Sequence, residues 1–147
     1  KVIRLAYQMR QINNFNGVME VMSGLNRACV RRLKNTWAEV GEDEGEKLKE
    51  MEELMNYTGS FQSYRRVLEQ VSLPCVPYFG LYLTDLVFLD DGNPDLVDDG
   101  LINFQKHEMI AKVLTKIRHF QQEEYKFPLD PEIQARIGAM KRLTEDE

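Results

Sequence analysis

Two histidines, two cysteines and a scatter of carboxylates are the groups in this 147-residue chain that could hold a metal or drive a nucleophile. His107 and His119 stand twelve residues apart in one helical pattern, roughly 18 Å along the axis, too far to share an ion. A carboxylate-bridged bundle would put Glu three residues before each His, but Phe104 and Lys116 occupy those places. Cys29 and Cys75 form neither a CxxC pair nor a disulfide framework. There is no GxxxxGK[ST] or GxGxxG phosphate loop, and no Ser or Cys has a histidine at a recognisable triad spacing. These absences argue against covalent chemistry, and the expectation is a protein with no metal and no cofactor.

The residues that set the chain apart run from 78 to 94. Residues 78–89 are almost continuously apolar, interrupted by Gly80, Thr84 and Asp85, and they meet Asp90-Asp91-Gly92-Asn93-Pro94. Such a run suits a buried strand or a buried helix. No second strand candidate is present to pair with it, so the reading is a helix that the Asp-Asp-Gly-Asn-Pro turn ends. An apolar helix with an acidic tip is either a core helix or an element that inserts into a partner. In the core reading, Thr84, Asp85 and the paired aspartates lie along one edge of a buried helix.

The rest of the chain supplies helices to position it. Val2, Leu5, Ala6, Met9 and Ile12 share one helical face, which Asn13-Asn14 interrupts by ending one helix and capping the next. Val18, Val21, Met22 and Leu25 mark a second helix, and Val30 and Leu33 a short turn. Residues 43–56 keep Leu48, Met51, Leu54 and Met55 at helical spacing within a highly charged stretch, which predicts an exposed amphipathic helix. Residues 58–60 read as a loop, with Ser60 capping a helix that carries Phe61, Tyr64, Val67, Leu68 and Val71. Pro74 and Pro77 make residues 72–77 an extended, buried connector. Residues 95–100 read as an acidic linker. Leu101-Ile102-Asn103-Phe104 starts the last long helix, with Met109, Ile110, Val113, Leu114, Ile117 and Phe120 facing the core. Pro131 opens a short helix through Ile133 and Ile137. The fold class is all-α and multi-helical.

Composition narrows the partners. Apolar residues are 43% and aromatics 10% of the chain, enough for one packed domain and too much for a disordered one. No apolar run approaches the roughly 20 residues of a membrane span. The net charge of −5 hides segregation: +5 over residues 1–40, −5 over 41–59, and −5 over 90–99. The basic cluster Arg27, Arg31, Arg32 and Lys34 is either a solvated face or a protein-binding patch. It is too short to be a nucleic-acid stripe, and no segment pairs a broad basic face with a bulky apolar one for membrane insertion. Seven Met and two Cys suit reduced thiols inside a cell. Lys1 opens straight into a helical pattern and Glu145-Asp146-Glu147 ends in charge, which reads as a fragment of a longer protein.

Several motifs in order carry a resemblance. Asn13-Asn14-Phe15-Asn16-Gly17, Ser23-Gly24-Leu25-Asn26 and Val30-x-x-Leu33-Lys34-x-Thr36-Trp37 resemble the catalytic domain of Ras-type guanine nucleotide exchange factors, the kind found in Son of sevenless. Pro74-Cys75-Val76-Pro77-Tyr78-Phe79-Gly80-Leu81-Tyr82-Leu83-Thr84-Asp85-Leu86, Leu101-Ile102-Asn103-Phe104 and Ile117-x-x-Phe120-Gln121-Gln122-x-x-Tyr125 extend it over nearly the whole chain. The resemblance implies that residues 1–147 are the C-terminal part of such a domain, with the earlier helices packing on it. It implies a helical hairpin over about residues 78–99 that enters a small GTPase beside the nucleotide. Val87 then occludes the magnesium site, Asp91 stands near the phosphate site where the family usually has Glu, and Thr84, Tyr78 and Gly80 lie on the hairpin edge facing the switch regions. Ser23, Asn26, Arg31, Lys34 and Phe61 match the face that grips the second switch. Gln105-Lys106-His107 departs from the usual Lys-Arg-Arg.

The resemblance thus implies a guanine nucleotide exchange factor, with no covalent chemistry, for a Ras-family GTPase of the Ras, Rap or Ral type. The domain would be cytoplasmic and brought to membranes by other domains. A second reading is a scaffold of the same fold that binds a GTPase without exchanging its nucleotide. The Asp at 91 and the Arg at 31, where Son of sevenless has an aromatic, favour it. Residues 1–147 by themselves are expected to expose apolar patches where missing helices would pack.

Overall fold

Asn13 and Asn14 turn the chain at its first corner as their chemistry suggests. Asn13 takes a left-handed conformation (φ 59°), and the Asn14 side chain accepts the Gly17 N–H (2.9 Å). They separate α1 (Val2–Gln11) from α2 (Phe15–Leu25). The same corner receives the proline-flanked connector: Phe15 N–H donates to the Val76 carbonyl (2.9 Å), and Val76 N–H to that of Asn13 (3.0 Å). Cys75 is buried there.

The computed structural model describes residues 1–140, so the acidic end at 145–147 lies outside the described residues. After α2 come α3 (Ala28–Arg31), α4 (Lys34–Ala38), α5 (Glu42–Leu54) and α6 (Thr58–Leu68). Then follow α7 (Phe79–Gly92), β1 (Leu96–Val97), β2 (Leu101–Ile102), α8 (Phe104–His119) and α9 (Pro131–Gly138). The architecture is all-α, as expected, with one small exception. Leu96 pairs with Ile102 and Val97 with Leu101 in an antiparallel ladder, where the sequence reading had a linker and a helix start. The helix begins later because the Asn103 side chain caps it, accepting the Lys106 N–H (3.1 Å).

The core lies between α1, α2 and α5, closed by Tyr64 of α6 and Leu81 of α7. Each large side chain fully buried there contributes about 1.5–3 kcal/mol. Three expectations about facing change. On α1 the buried residues are Ile3 and Ala6, while Val2 and Leu5 are exposed, because the helix turns a different arc toward α2 and α5. On α5, Leu48, Met51 and Leu54 are all core residues, as is Met55 at its C-cap, so this helix is solvated only along its charged side. On α8 the expected apolar face is half-buried at Met109, Ile110, Val113, Ile117 and Phe120, and exposed at Leu114; the buried residue is Lys106. Two local corrections follow. Asp90 and Asp91 lie inside α7, which ends at Asn93-Pro94, since extended geometry is required only at the residue before proline. Ser60 does not cap α6: residues 59–61 form a left-handed turn.

Candidate functional site

The apolar run 78–89 becomes a helix with two distinct sides. Leu81, Tyr82, Asp85, Leu86 and Leu89 face inward and are buried or half-buried. Gly80, Thr84, Val87 and Asp91 recur at steps of four, three and four residues, which confines them to an outward arc of roughly 60°. Val87 is 57% and Phe88 70% exposed, and Asp91 is exposed. The choice left open between core helix and projecting element is thereby divided along the helix: the inner end is anchored, and the outer face is open. Thr84 donates its hydroxyl proton to the Gly80 carbonyl (2.9 Å).

The base of α7 is held from α6. The Tyr64 hydroxyl accepts the Tyr78 N–H (2.7 Å), satisfying an orphan donor at the helix start. Tyr64 is fully buried against Phe15 in an edge-on pair, 5.2 Å between centroids, and this burial pushes its hydroxyl far above the ordinary tyrosine range. Arg65 is the second fastener. It binds Asp85 through two parallel bonds (2.8 and 2.6 Å) and donates to the Ser60 carbonyl (2.7 Å). That tie spans the left-handed turn, where Gly59 (φ 60°) is at ease and Ser60 (φ 55°) and Phe61 (φ 61°) are not. Phe61 lies 5.7 Å from the Tyr78 ring. The Tyr78 ring in turn lies over Gly80, where a Cβ would come within 2.5 Å of it. Phe61, Tyr78, Gly80 and Thr84 therefore form one continuous group at the base of the outward stripe.

Asn26 and Arg31 make a second group. Asn26 accepts from Arg31 Nε (3.0 Å). Arg31 also pairs with Glu52 of α5 and lies 5.3 Å from the Trp37 ring centroid. Ser23 and Lys34 are exposed beside it in sequence. The basic cluster is thus partly tied to the protein itself rather than wholly solvated.

Sequence reasoning missed Arg65, Tyr64, Glu52 and Lys106. The first three act across gaps of fourteen to twenty-one residues, and no local pattern announces such a partner. Lys106 had a weak signal, as a cation three residues after a capping Asn. Burial pushes the Cys75 thiol up to about 11 and the Tyr82 hydroxyl up to about 12. Among the described residues no group of three His, Cys, Asp or Glu side chains could hold a metal, and no helix is long and apolar enough to cross a membrane.

The fold is a helical domain in which α7 is fastened along one side by Tyr64 and Arg65 and open along the other. The chain belongs to the RasGEF domain family, which matches residues 1–108. It is similar to Ras-specific guanine nucleotide-releasing factor 1 of Mus musculus, 40% identical over 133 residues, covering 90% of this chain and 10% of that protein. It is also similar to Ras guanine nucleotide exchange factor P of Dictyostelium discoideum, 43% identical over 125 residues, or 85% of this chain and 8% of that protein. Ras-specific guanine nucleotide-releasing factor 2 of Danio rerio is 39% identical over 133 residues, covering 90% of this chain and 11% of that protein. The chain spans about a tenth of the length of these curated relatives.

Proposed function

We propose that this chain is the C-terminal part of an exchange domain that speeds guanine nucleotide release from a small GTPase of the Ras, Rap or Ral type. The observation that carries this reading is the outward stripe of α7, with Thr84, Val87 and Asp91 exposed along one line while the opposite side is anchored. The names of the relatives point the same way.

The physics needs no bond chemistry. A GTPase holds its nucleotide through Mg²⁺ and a phosphate-cradling loop with its Lys. An exchange factor that binds the empty GTPase more tightly than the loaded one must, by linkage, weaken nucleotide binding by the same factor. Val87 is the side chain to exclude magnesium by bulk and desolvation. Asp91 offers the cations of the emptied site a substitute for phosphate. Tyr78, Phe61 and Gly80 would meet the switch regions from the base of α7, and Ser23, Asn26, Arg31 and Lys34 would grip the second switch. A preformed helix costs little ordering entropy on insertion. Other domains would bring the protein to membranes.

The test is nucleotide release from a panel of Ras-like GTPases, with Val87→Glu and Asp91→Lys as variants. Both should abolish stimulated release while helix content stays unchanged. Normal release by both variants removes the hairpin from the mechanism. Equal affinity for empty and loaded GTPase would instead establish the scaffold reading.

A further inference from the structure

Lys106 is the buried charged residue among the described residues, 3% exposed. Its ammonium has three protons to donate and three acceptors: the Asp90 carboxylate (2.7 Å), the Asp95 carboxylate (2.6 Å) and the Asp90 carbonyl (3.0 Å). These acceptors flank the turn that leaves α7. The bonds of the neighbouring Asn103 close the same turn. Its side-chain amide donates to the Pro94 carbonyl (2.8 Å), and its N–H to that of Asp95 (2.8 Å). The β1–β2 ladder stands between them.

Local electrostatics works against the helical charges in this arrangement. Asp90 and Asp91 stand at the C-terminal end of α7, where the helix dipole disfavours anions, and Lys106 stands in the first turn of α8, where it disfavours cations. Neither helix gains from its own charge, so the contact between them is what makes both placements tolerable. A conflict between local preference and tertiary contact marks a position held for its geometry.

We propose that Lys106 is a positioning residue for the tip of the helix pair. It neutralises Asp90, ties the last turn of α7 to α8, and leaves Asp91 as the uncompensated carboxylate of the pair, turned outward. Asp91 enters none of the ion pairs among the described residues, while Asp90 enters this one. The two adjacent aspartates therefore divide the work, one locking the tip and the other presented by it. The functional half of this inference rests on the exchange reading above.

The test uses the full-length protein that carries this chain, with Lys106→Met, Lys106→Arg and Asp91→Asn. Two readouts are taken: amide hydrogen exchange over residues 89–103, and stimulated nucleotide release resolved into its maximal rate and its half-saturating concentration. Lys106→Met should lower protection of the tip about tenfold or more while leaving the core around Met51 protected. It should lower the maximal rate by about tenfold or more, because a displacement near 1 Å at the acting group is enough for that. Its half-saturating concentration should stay within about threefold, since the Asn26–Arg31 face is untouched. Lys106→Arg should restore both readouts in large part, and Asp91→Asn should slow release with tip protection unchanged. Unchanged tip protection in Lys106→Met overturns the proposal, as does a loss carried wholly by the half-saturating concentration. If the wild-type full-length protein stimulates no release, the exchange reading fails, and amide protection still decides whether Lys106 locks the tip.

Discussion

Replacing Gly80 by Ala separates stability from partner binding at the base of α7. The added Cβ would lie 2.5 Å from Cζ and Oη of Tyr78, whereas carbon contacts are comfortable at roughly 3.5–4.0 Å. The ring must therefore swing away by about 1 Å or more. It can do so because Tyr78 is only half-buried, but it leaves Phe61, now 5.7 Å away. Loss of that aromatic pair costs about 0.5–1.5 kcal/mol. Ala in place of Gly in a helix returns about 0.5–1 kcal/mol. The two nearly cancel, so the urea midpoint should shift by less than about 1 kcal/mol equivalent at unchanged m. Binding should respond differently. If Tyr78 and Phe61 meet the GTPase together, a displaced ring forfeits about 1.4 kcal/mol and raises the half-saturating concentration in a nucleotide-release assay about tenfold. An unchanged concentration dependence would remove this aromatic pair from the interface. A destabilisation above about 3 kcal/mol would show that the ring is fixed and that the close approach is structural.

Three further outcomes follow from the same geometry. Tyr64→Phe keeps the ring against Phe15 but strands the Tyr78 N–H, so it should cost about 1–3 kcal/mol in chemical denaturation; an unshifted midpoint contradicts the role given to that bond. Met51→Ala, at a fully buried position, should cost about 2–5 kcal/mol, while Leu114→Ala on the exposed side of α8 should cost less than about 1 kcal/mol; equal losses would contradict the core assignment. The tip should also have a defined pH window. Hydrogen bonds to Asp90 and then Asp95 raise Lys106 above its ordinary 10.5, and the bond from Lys106 lowers Asp95 below its ordinary 3.8, with His107 adding positive field. The Lys106 contribution is complete below 10.5 and is lost as pH rises through the raised value. The Asp95 contribution is complete above 3.8 and is lost as pH falls through the lowered value. Amide protection of residues 89–103 should thus be constant across neutral pH, and a loss of that protection between pH 5 and 9 would refute the bridge as the lock.

What the sequence determined by itself is mostly what short-range physics controls. Asn13-Asn14 had to end one helix and start another, because only a few residue types accept left-handed geometry or cap an orphan N–H, and Asn does both. Residues 78–89 had to be a helix once no strand partner was available. The ordered motifs from Asn13 to Tyr125 placed the chain near its family before any coordinate. Facing was decided elsewhere. Val2 and Leu5 carry the right spacing for a core, yet α1 buries Ile3 and Ala6, since which arc of a helix is covered depends on where its neighbours stand. The charged α5 is central to the core for the same reason. The ladder at Leu96–Val97 and Leu101–Ile102 lies within a turn that Asn103 and Lys106 close through bonds to Pro94 and Asp95. The helix after Tyr78 could have been entirely buried or partly open on its sequence alone. Arg65 and Tyr64, distant in the chain, anchor one side of it, and Lys106 holds its far end. Such long-range bonds leave no periodic trace in a sequence, and only the tertiary structure could turn Val87 and Asp91 outward.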